Sequence, residues 1–157
     1  MINAPQLSLH SPVGDLTLSE DRGTIVALDW GWVREQTPTP LLSRAKERLE
    51  AYFDTGRTDY SGLPLAPAGT EFQRRVWSAM QQIECGATES YGALARRIRS
   101  SPRAVGQACG ANPIPVLIPC HRVVSATGMG LYSGGNGTET KAYLLHLEGA
   151  ILSPPLP

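Results

Sequence analysis

The pair Cys120-His121 is the part of the sequence with the clearest potential for chemistry. It lies in an apolar segment, residues 116–124, between a proline and an arginine. The pKa of a cysteine thiol is about 8.5, and a nearby protonatable imidazole or guanidinium lowers this pKa and favours the nucleophilic thiolate. Cysteines in apolar segments more often serve as inert packing, so both interpretations stay open at this point.

The geometry of a strand limits how the two side chains meet. Neighbouring side chains of a regular strand point to opposite faces of the sheet. His121 therefore reaches the Cys120 thiol only if Pro119 bends the chain or a water molecule bridges the two groups. Glu148, or another carboxylate, would then orient the second ring nitrogen of the imidazole.

Two short helices with arginines around their turn come before this pair. The first begins at Ser90-Tyr91-Gly92 and stops at Ser100-Ser101-Pro102, which also caps a further helix over residues 103–109. Two short helices joined by a tight turn indicate a helix-turn-helix. An ordinary helical hairpin fits the same pattern.

Three further elements are predicted in the second half. A capping box of Thr70 and Gln73, followed by an apolar stripe, predicts a helix over residues 70–83. The apolar, β-branched residues 116–124 predict a buried strand that is interrupted by a polar centre. A last helix over residues 139–147 is expected to have a core face that includes Tyr143, Leu144 and Leu147.

The first half of the sequence predicts a small α+β unit. Residues 41–53 carry apolar side chains at a helical period. Short apolar runs separated by turn residues are typical of strands joined by hairpin turns, and they occur at residues 7–9, 16–18 and 25–30.

A segment rich in proline and glycine, residues 62–69, is expected to link two domains. The predicted domains are residues 1–66, a scaffold, and residues 67–157, which hold the helix-turn-helix and the cysteine. The net charge is zero, yet residues 1–67 carry nine acidic and six basic side chains, whereas residues 68–157 carry five and eight. This asymmetry indicates a nucleic-acid face on the second half.

Composition limits the class of protein. With 41% apolar and 18% charged residues, a chain of 157 residues has enough apolar surface for a folded core. No apolar run reaches the roughly 18 residues of a membrane helix, and the first residues lack the layout of a secretory signal. Three cysteines without a CxxC pair favour a reducing compartment. We expect a soluble protein of the cytoplasm, or of the nucleus in a eukaryote, and no membrane partner.

Six residues around the candidate nucleophile resemble a known signature. Ile118-Pro119-Cys120-His121-Arg122-Val123 is similar to the active-site motif of the O6-alkylguanine-DNA alkyltransferases, the methylated-DNA–protein-cysteine methyltransferases. Arg103-Ala104-Val105-Gly106 resembles the recognition helix of that family, and Asn112-Pro113 resembles its asparagine hinge. The resemblance covers about residues 69–149 and extends, in the family's order, to residues 69–77, Ser90-Tyr91-Gly92, Tyr132-Ser133-Gly134-Gly135 and residues 144–149.

The resemblance implies a fold and an activity. The fold would be α+β, with a ribonuclease-H-like first domain followed by a winged helix-turn-helix. A monomer would bind double-stranded DNA in the minor groove and flip an O6-alkylguanine out of the stack. The alkyl group would pass irreversibly to Cys120, so each molecule would act once as a methylated-DNA–[protein]-cysteine S-methyltransferase, without a cofactor.

The resemblance also implies five catalytic roles. Cys120 matches the alkyl acceptor, and His121 matches the base that takes the thiol proton through a water molecule. Glu148 matches the carboxylate that orients this imidazole. Tyr91 matches the hydroxyl that protonates the departing guanine at N3, and Asn112 matches the residue that braces the turn before the cysteine.

The remaining roles concern DNA and the alkyl pocket. Arg103 matches the finger that fills the gap left by the flipped base. Small residues suit a groove only ~6 Å wide, and those implied to enter it are Ala104, Val105, Gly106 and Ala108. The implied pocket wall consists of Val123, Tyr132 and Ser133. Arg96 and Arg97 are candidates for contacts with phosphates, although an arginine run of this kind is more often a solvated surface.

No metal is expected. Some members of this family hold a structural zinc in the first domain through cysteine and histidine. Residues 1–67 contain no cysteine and only one histidine, His10.

Three other functions remain as alternatives. A cysteine-dependent hydrolase would need a thioester that water cleaves and an oxyanion hole, and it would turn over. A binding-only relative would recognise alkylguanine without transfer, although such relatives replace the cysteine. A helix-turn-helix regulator would normally be a dimer that reads the major groove, and no dimerisation segment is evident.

Overall fold

The computed structural model describes residues 4–130, 132 and 134–150. They belong to two compact units, with the boundary between Ala68 and Gly69. Strands and one helix make up the first unit and helices dominate the second, so the chain is mixed α+β as predicted. No helix in these described ranges is long and apolar enough to cross a membrane.

The first unit is a three-stranded antiparallel sheet with a helix packed against it. Its strands are β1 (Gln6–Leu9), β2 (Leu16–Asp21) and β3 (Thr24–Trp30), which neighbour one another in that order. Helix α1 (Pro40–Thr55) begins where the Thr39 hydroxyl accepts a hydrogen bond from a backbone N–H of the first turn. The inner side of the sheet and one side of α1 form a core of Leu9, Leu16, Leu18, Ile25, Leu42, Ala45 and Leu49.

The second unit is built mainly from four helices. They are α2 (Glu71–Met80), α3 (Tyr91–Ile98), α4 (Pro102–Gly110) and α5 (Thr138–Leu147). Two very short strands, β4 (Glu89–Ser90) and β5 (Val123–Val124), pair in parallel, and a 3-10 turn (Cys120–Arg122) immediately precedes β5.

Side-chain caps fix where the helices of the second unit begin. Thr70 and Gln73 form the predicted capping box at the start of α2. Ser90 and Ser101 cap α3 and α4 by accepting hydrogen bonds from backbone N–H groups of the first turns. Trp77 of α2 is buried and donates its indole N–H to the Ala108 carbonyl of α4 over 2.8 Å. This hydrogen bond joins α2 to α4 in the framework of the site.

The predicted strand over residues 116–124 is wrong except for its last two residues. The chain there forms a buried loop, the 3-10 turn and then β5. The side chain of Asn112 explains the loop, because it donates to the Ile118 carbonyl over 2.8 Å and accepts from the Ile114 N–H over 2.9 Å. Val116 has a φ of 73°, which is unusual for a β-branched residue and incompatible with a strand.

Two smaller expectations also need correction. Helix α2 ends at Met80, earlier than the predicted residue 83. Tyr143 is exposed, and the buried face of α5 consists instead of Thr140, Lys141, Leu144 and Leu145. The aromatic ring of Tyr143 suggested a core position, but the side of the helix that faces the core carries the buried Lys141 instead.

Candidate active site

Cys120 lies at the side of a pocket of about 900 Å³ in the second unit. Pro119 has φ and ψ of −81° and 66°, which turn the chain so that Cys120 starts the 3-10 turn. The thiol-bearing residue is 8% exposed. The pocket also takes its walls from α3, α4 and the loop after β5, with lining residues Tyr91, Pro102, Arg103, Gly106, Gln107, Cys109, Gly110, Ser125, Gly130 and Tyr132.

Next to Cys120, a buried chain of polar groups joins the 3-10 turn to the end of α5. His121 Nε2 lies 2.6 Å from Glu148 Oε2, and both side chains are fully buried. Arg122 donates to the same carboxylate from Nε over 2.8 Å and from Nη2 over 3.2 Å. Its Nη1 donates to the Ile83 carbonyl over 2.7 Å. The carboxylate of Glu148 is therefore held in place by two side chains.

These contacts determine the protonation of the imidazole. Burial alone would raise the pKa of Glu148, but the hydrogen bonds and charges of His121 and Arg122 outweigh it and lower this pKa to about 2. Burial lowers the pKa of His121 more than Glu148 raises it, so the imidazole is neutral at pH 7. A neutral imidazole that donates from Nε2 to the carboxylate has a lone pair on Nδ1. This Nδ1 is buried and has no hydrogen-bond partner within the described residues.

The thiol of Cys120 needs help to ionise. Burial raises its pKa, while the Asn112 side-chain hydrogen bond and the nearby charge of Lys141 partly oppose this increase. The group is thus protonated at neutral pH in the resting protein. Its ionisation would be helped by a base that accepts the thiol proton. Nδ1 of His121, the next residue in the chain, is the candidate for this base.

Lys141 belongs to the site although no sequence motif pointed to it. This side chain is fully buried, and its Nζ donates to the Val123 carbonyl over 2.6 Å. The ammonium group lies 5.7 Å from the centroid of the Tyr91 ring. Burial lowers the pKa of Lys141 to about 8, although Cys120 and Cys109 act in the opposite direction. A basic charge therefore sits close to both the nucleophile and the candidate proton donor.

Tyr91 is the first residue of α3 and lies on the same pocket as Cys120. Gly130 packs closely against it. A Cβ added at Gly130 would lie 2.9 Å from Tyr91 Cε2 and 3.0 Å from its hydroxyl oxygen, and the φ of Gly130 is +79°. Only glycine permits this close approach, so Gly130 helps to define the position of the Tyr91 ring.

The residues of α4 divide between its two faces. Arg103 is exposed and lines the pocket, while Ala104 and Gly106 are partly exposed. Val105 and Ala108 are buried, at 0% and 2% exposure. Their side chains support the packing of the helix inside the unit and do not belong to the exposed face that was expected to enter the groove.

The other residues named from the sequence have varied surroundings. Arg96 is exposed. Arg97 is also on the surface, but it donates to Glu89, to Gln82 and to the Ala79 carbonyl, so its guanidinium has several internal partners.

The predicted pocket wall is only partly visible. Val123 is fully buried in β5, and Tyr132 is partly buried and lines the pocket. Ser133 lies outside the described residues. In the described part of the chain, no three His, Cys, Asp or Glu side chains lie together in a group that could hold a metal ion.

Comparisons with known proteins match both units. A family model described as "6-O-methylguanine DNA methyltransferase, DNA binding domain" matches residues 71–150. A second, described as "6-O-methylguanine DNA methyltransferase, ribonuclease-like domain", matches residues 7–67. The two descriptions agree with the architecture that the sequence predicted.

Individual relatives are similar over most of their length. The constitutive methylated-DNA–protein-cysteine methyltransferase of Bacillus subtilis is 38% identical over 152 residues, which cover 88% of this chain and 92% of that protein. The methyltransferase of Mycobacterium tuberculosis is 39% identical over 153 residues, 90% of each chain.

Solved structures give the same result. A crystal structure of the Mycobacterium tuberculosis O6-methylguanine methyltransferase has a TM-score of 0.81 and 37% identity, and the match covers 98% of this chain and 95% of that chain. The structure of the Mycobacterium tuberculosis protein in complex with DNA has a TM-score of 0.80 and 39% identity, with 92% of each chain covered. The similarity thus extends across both units.

Proposed function

The chain belongs to the 6-O-methylguanine DNA methyltransferase family, and from this premise we propose that it repairs O6-alkylguanine in duplex DNA by transferring the alkyl group to Cys120. The membership confirms the resemblance that the sequence motifs indicated. One observation carries the proposal: the buried thiol of Cys120 lies at a large pocket and is followed directly by a neutral imidazole anchored to an ionised carboxylate. This is the arrangement of a nucleophile with its own base.

The first step is activation of the thiol. A water molecule between Cys120 and Nδ1 of His121 passes the thiol proton to the imidazole. The resulting imidazolium is stabilised by Glu148, which stays ionised because Arg122 also binds it. Asn112 and Lys141 stabilise the thiolate by a hydrogen bond and by charge.

The second step is displacement at carbon. The thiolate sulfur attacks the alkyl carbon on O6, a carbon–sulfur bond forms, and the carbon–oxygen bond breaks. Tyr91 donates its hydroxyl proton to N3 of the guanine, so a neutral base departs. The ammonium of Lys141, close to the Tyr91 ring, stabilises the phenolate until it regains a proton.

The product explains why the protein acts once. The alkyl group remains on Cys120 as a thioether. Water does not cleave the carbon–sulfur bond of a thioether under mild conditions, because the thiolate is a poor leaving group. A hydrolase would instead need an acyl intermediate and an oxyanion hole. A binding-only protein would have no use for the relay of His121 and Glu148.

DNA approaches the exposed side of α4 in this proposal. Arg103 fills the place of the flipped guanine, and the small side chains of Ala104 and Gly106 permit close approach to the minor groove. Val105 and Ala108 fix the helix from its buried side. Arg96 is the better candidate for a phosphate contact than Arg97, whose donors already have internal partners. We propose that one monomer acts on each lesion.

Peptide mapping after reaction with a duplex that contains O6-methylguanine tests this proposal. We expect one added methyl group, on Cys120 and on neither of the other cysteines. Cys109 lines the same pocket and burial raises its pKa to about 12, but the next residue is Gly110 and not a histidine that could take its proton. A methyl group on Cys109 or Cys85, or release of product without any modified cysteine, would refute the assignment.

A further inference from the structure

Gln107 is an exposed residue of α4 that the proposed mechanism does not use. It lies one helical turn after Arg103, so the two side chains project from the same side of the helix. Both line the pocket that contains Cys120. No hydrogen bond to the Gln107 side chain forms within the described part of the chain. Its amide is therefore available to a molecule that covers the mouth of the pocket.

The position of Gln107 relative to Arg103 limits what this amide can reach. Four helical residues advance about 6 Å along the axis, which is close to two base-pair steps of about 3.4 Å. If Arg103 occupies the gap of the flipped base, as proposed above, Gln107 lies beside the flanking base pairs. We propose that Gln107 reads one base pair within two steps of the flipped guanine from the minor groove and favours a guanine there.

The chemistry of the groove gives the direction of this preference. In the minor groove, A·T pairs present only acceptors, whereas G·C pairs add the N2 amino donor of guanine. The amide oxygen of Gln107 accepts from this amino group, while its NH2 donates to an acceptor in the same groove. Beside an A·T pair, only the NH2 of Gln107 can form a hydrogen bond, because the base edges in the minor groove offer no donor to its amide oxygen. A neutral amide is also less suited to phosphates than the arginines of this region.

A cycle of protein variants and base analogues tests the inference. Four duplexes each carry one O6-methylguanine and one guanine. The guanine occupies a different one of the four positions within two base pairs of the lesion in each duplex. Each is compared with a duplex that has inosine at the same position, because inosine pairs with cytosine but lacks the N2 amino group. The measured quantity is the single-turnover rate constant of methyl transfer at subsaturating protein.

We expect the wild-type protein to react about fivefold faster with guanine than with inosine at one position, the effect of one hydrogen bond. Gln107→Ala should lower this ratio of rates to about one. Gln107→Glu keeps the acceptor oxygen, so it should keep the ratio even though its charge slows reaction with DNA. Gln81→Ala, which changes an exposed glutamine at the end of α2, should have the wild-type ratio.

Because each ratio is measured on one preparation, partial misfolding of a variant cancels. A wild-type ratio of one at all four positions overturns the inference, and so does an unchanged ratio in Gln107→Ala. In either case methyl transfer to Cys120 still proceeds, and the proposed function stands. A wild-type protein that transfers no methyl group to Cys120 would overturn the proposed function and this inference with it.

Discussion

At the scale of single residues, opposing effects control the ionisation of Cys120. Burial raises the pKa of the thiol, while the hydrogen bond from Asn112 and the charge of Lys141 lower it. In the proposed mechanism, the neutral imidazole of His121, fixed by Glu148, supplies the base that a protonated thiol requires. Under this proposal, the thiol stays protonated until a substrate and a bridging water complete the relay.

Replacement of the base tests this relay. His121→Ala should slow methyl transfer at pH 7 by ~10²–10⁴-fold, the usual contribution of a general base. Part of the loss should be recovered at high pH, where the thiol ionises without a base. The measurement is the single-turnover rate against pH, with His146→Ala, an exposed histidine of α5, as the control. A wild-type rate in His121→Ala would remove the imidazole from the mechanism.

The charge of Lys141 gives a second prediction at this scale. The lowered pKa of about 8 means that the ammonium is charged below this pH and neutral above it. Its charge favours the thiolate, so Lys141→Met should raise the pKa of Cys120. In the wild type, the gain in rate with increasing pH should flatten above pH 8, and Lys141→Met should lack this flattening.

The pKa of Cys120 is measured from the pH dependence of its reaction with iodoacetamide, located by peptide mass. Lys46→Met is the matched control, because Lys46 is the only other lysine in the sequence. An unchanged or lower pKa in Lys141→Met would contradict the assigned role.

The sequence revealed some of these residues and hid others. Cys120 and His121 were evident from their adjacency, and Glu148 was named as a partner. Lys141 was missed because a lysine on a helix is normally solvated. Its helical spacing from Leu144 and Glu148 places it on the buried face of α5. This spacing could have identified Lys141, but the core face of the helix was predicted to include Tyr143 instead.

At the scale of elements, helix α4 combines an anchored face and an open face. Val105 and Ala108 are buried, whereas Arg103 and Gln107 are exposed at the pocket. The proline at the first helical position and the Ser101 cap set where the helix begins. The element therefore presents Arg103 in its first turn, next to the pocket that is proposed to receive the flipped base.

Arg103→Ala should distinguish base flipping from support of the pocket. Extrusion of a base from a duplex costs a few kcal/mol, and a free base needs none. The variant should therefore lose far more rate with methylated duplex than with free O6-benzylguanine. Equal losses on the two substrates would mean that Arg103 supports the pocket or the fold.

Arg96→Ala is the contrasting variant for this experiment. A lost phosphate contact weakens binding to all sequences alike and reduces the salt dependence by about one unit of slope. The binding constants of both arginine variants, measured against salt concentration, would separate the two roles.

Local sequence signals predicted the helices much better than the loop that carries Cys120. Thr70, Ser90 and Ser101 marked helix starts that the structure contains. Residues 116–124 have the composition of a buried strand, but their path depends on the hydrogen bonds of the Asn112 side chain and on the left-handed conformation of Val116. These side-chain hydrogen bonds to the backbone and this backbone conformation leave no periodic signal in the sequence.

At the scale of the whole molecule, the neutral sequence contains two units of opposite charge. The first carries nine acidic and six basic residues, and the second carries five acidic and eight basic residues. The basic excess is on the unit with the pocket and α4, which matches a DNA-binding family model. Zero net charge is therefore no argument against a DNA partner for this protein.

Alkylation should destabilise the folded protein. Cys120 is 8% exposed and follows the tightly braced segment that Asn112 holds together. An added alkyl group crowds this region, and overpacking typically costs about 1–3 kcal/mol. The melting temperature should fall by about 2–4 °C per kcal/mol, compared with protein incubated with unmodified duplex. An equal or higher melting temperature after alkylation would refute this expectation.

The stoichiometry of transfer tests the central claim most directly. A fixed amount of protein is mixed with a tenfold excess of duplex that carries a radiolabelled O6-methylguanine, and the label bound to protein is followed to its plateau. We predict one methyl group per chain, all of it on Cys120, and an equal amount of restored guanine that does not increase with longer incubation. Restoration of guanine beyond one equivalent per chain would contradict the account, because the thiol would then have to be regenerated.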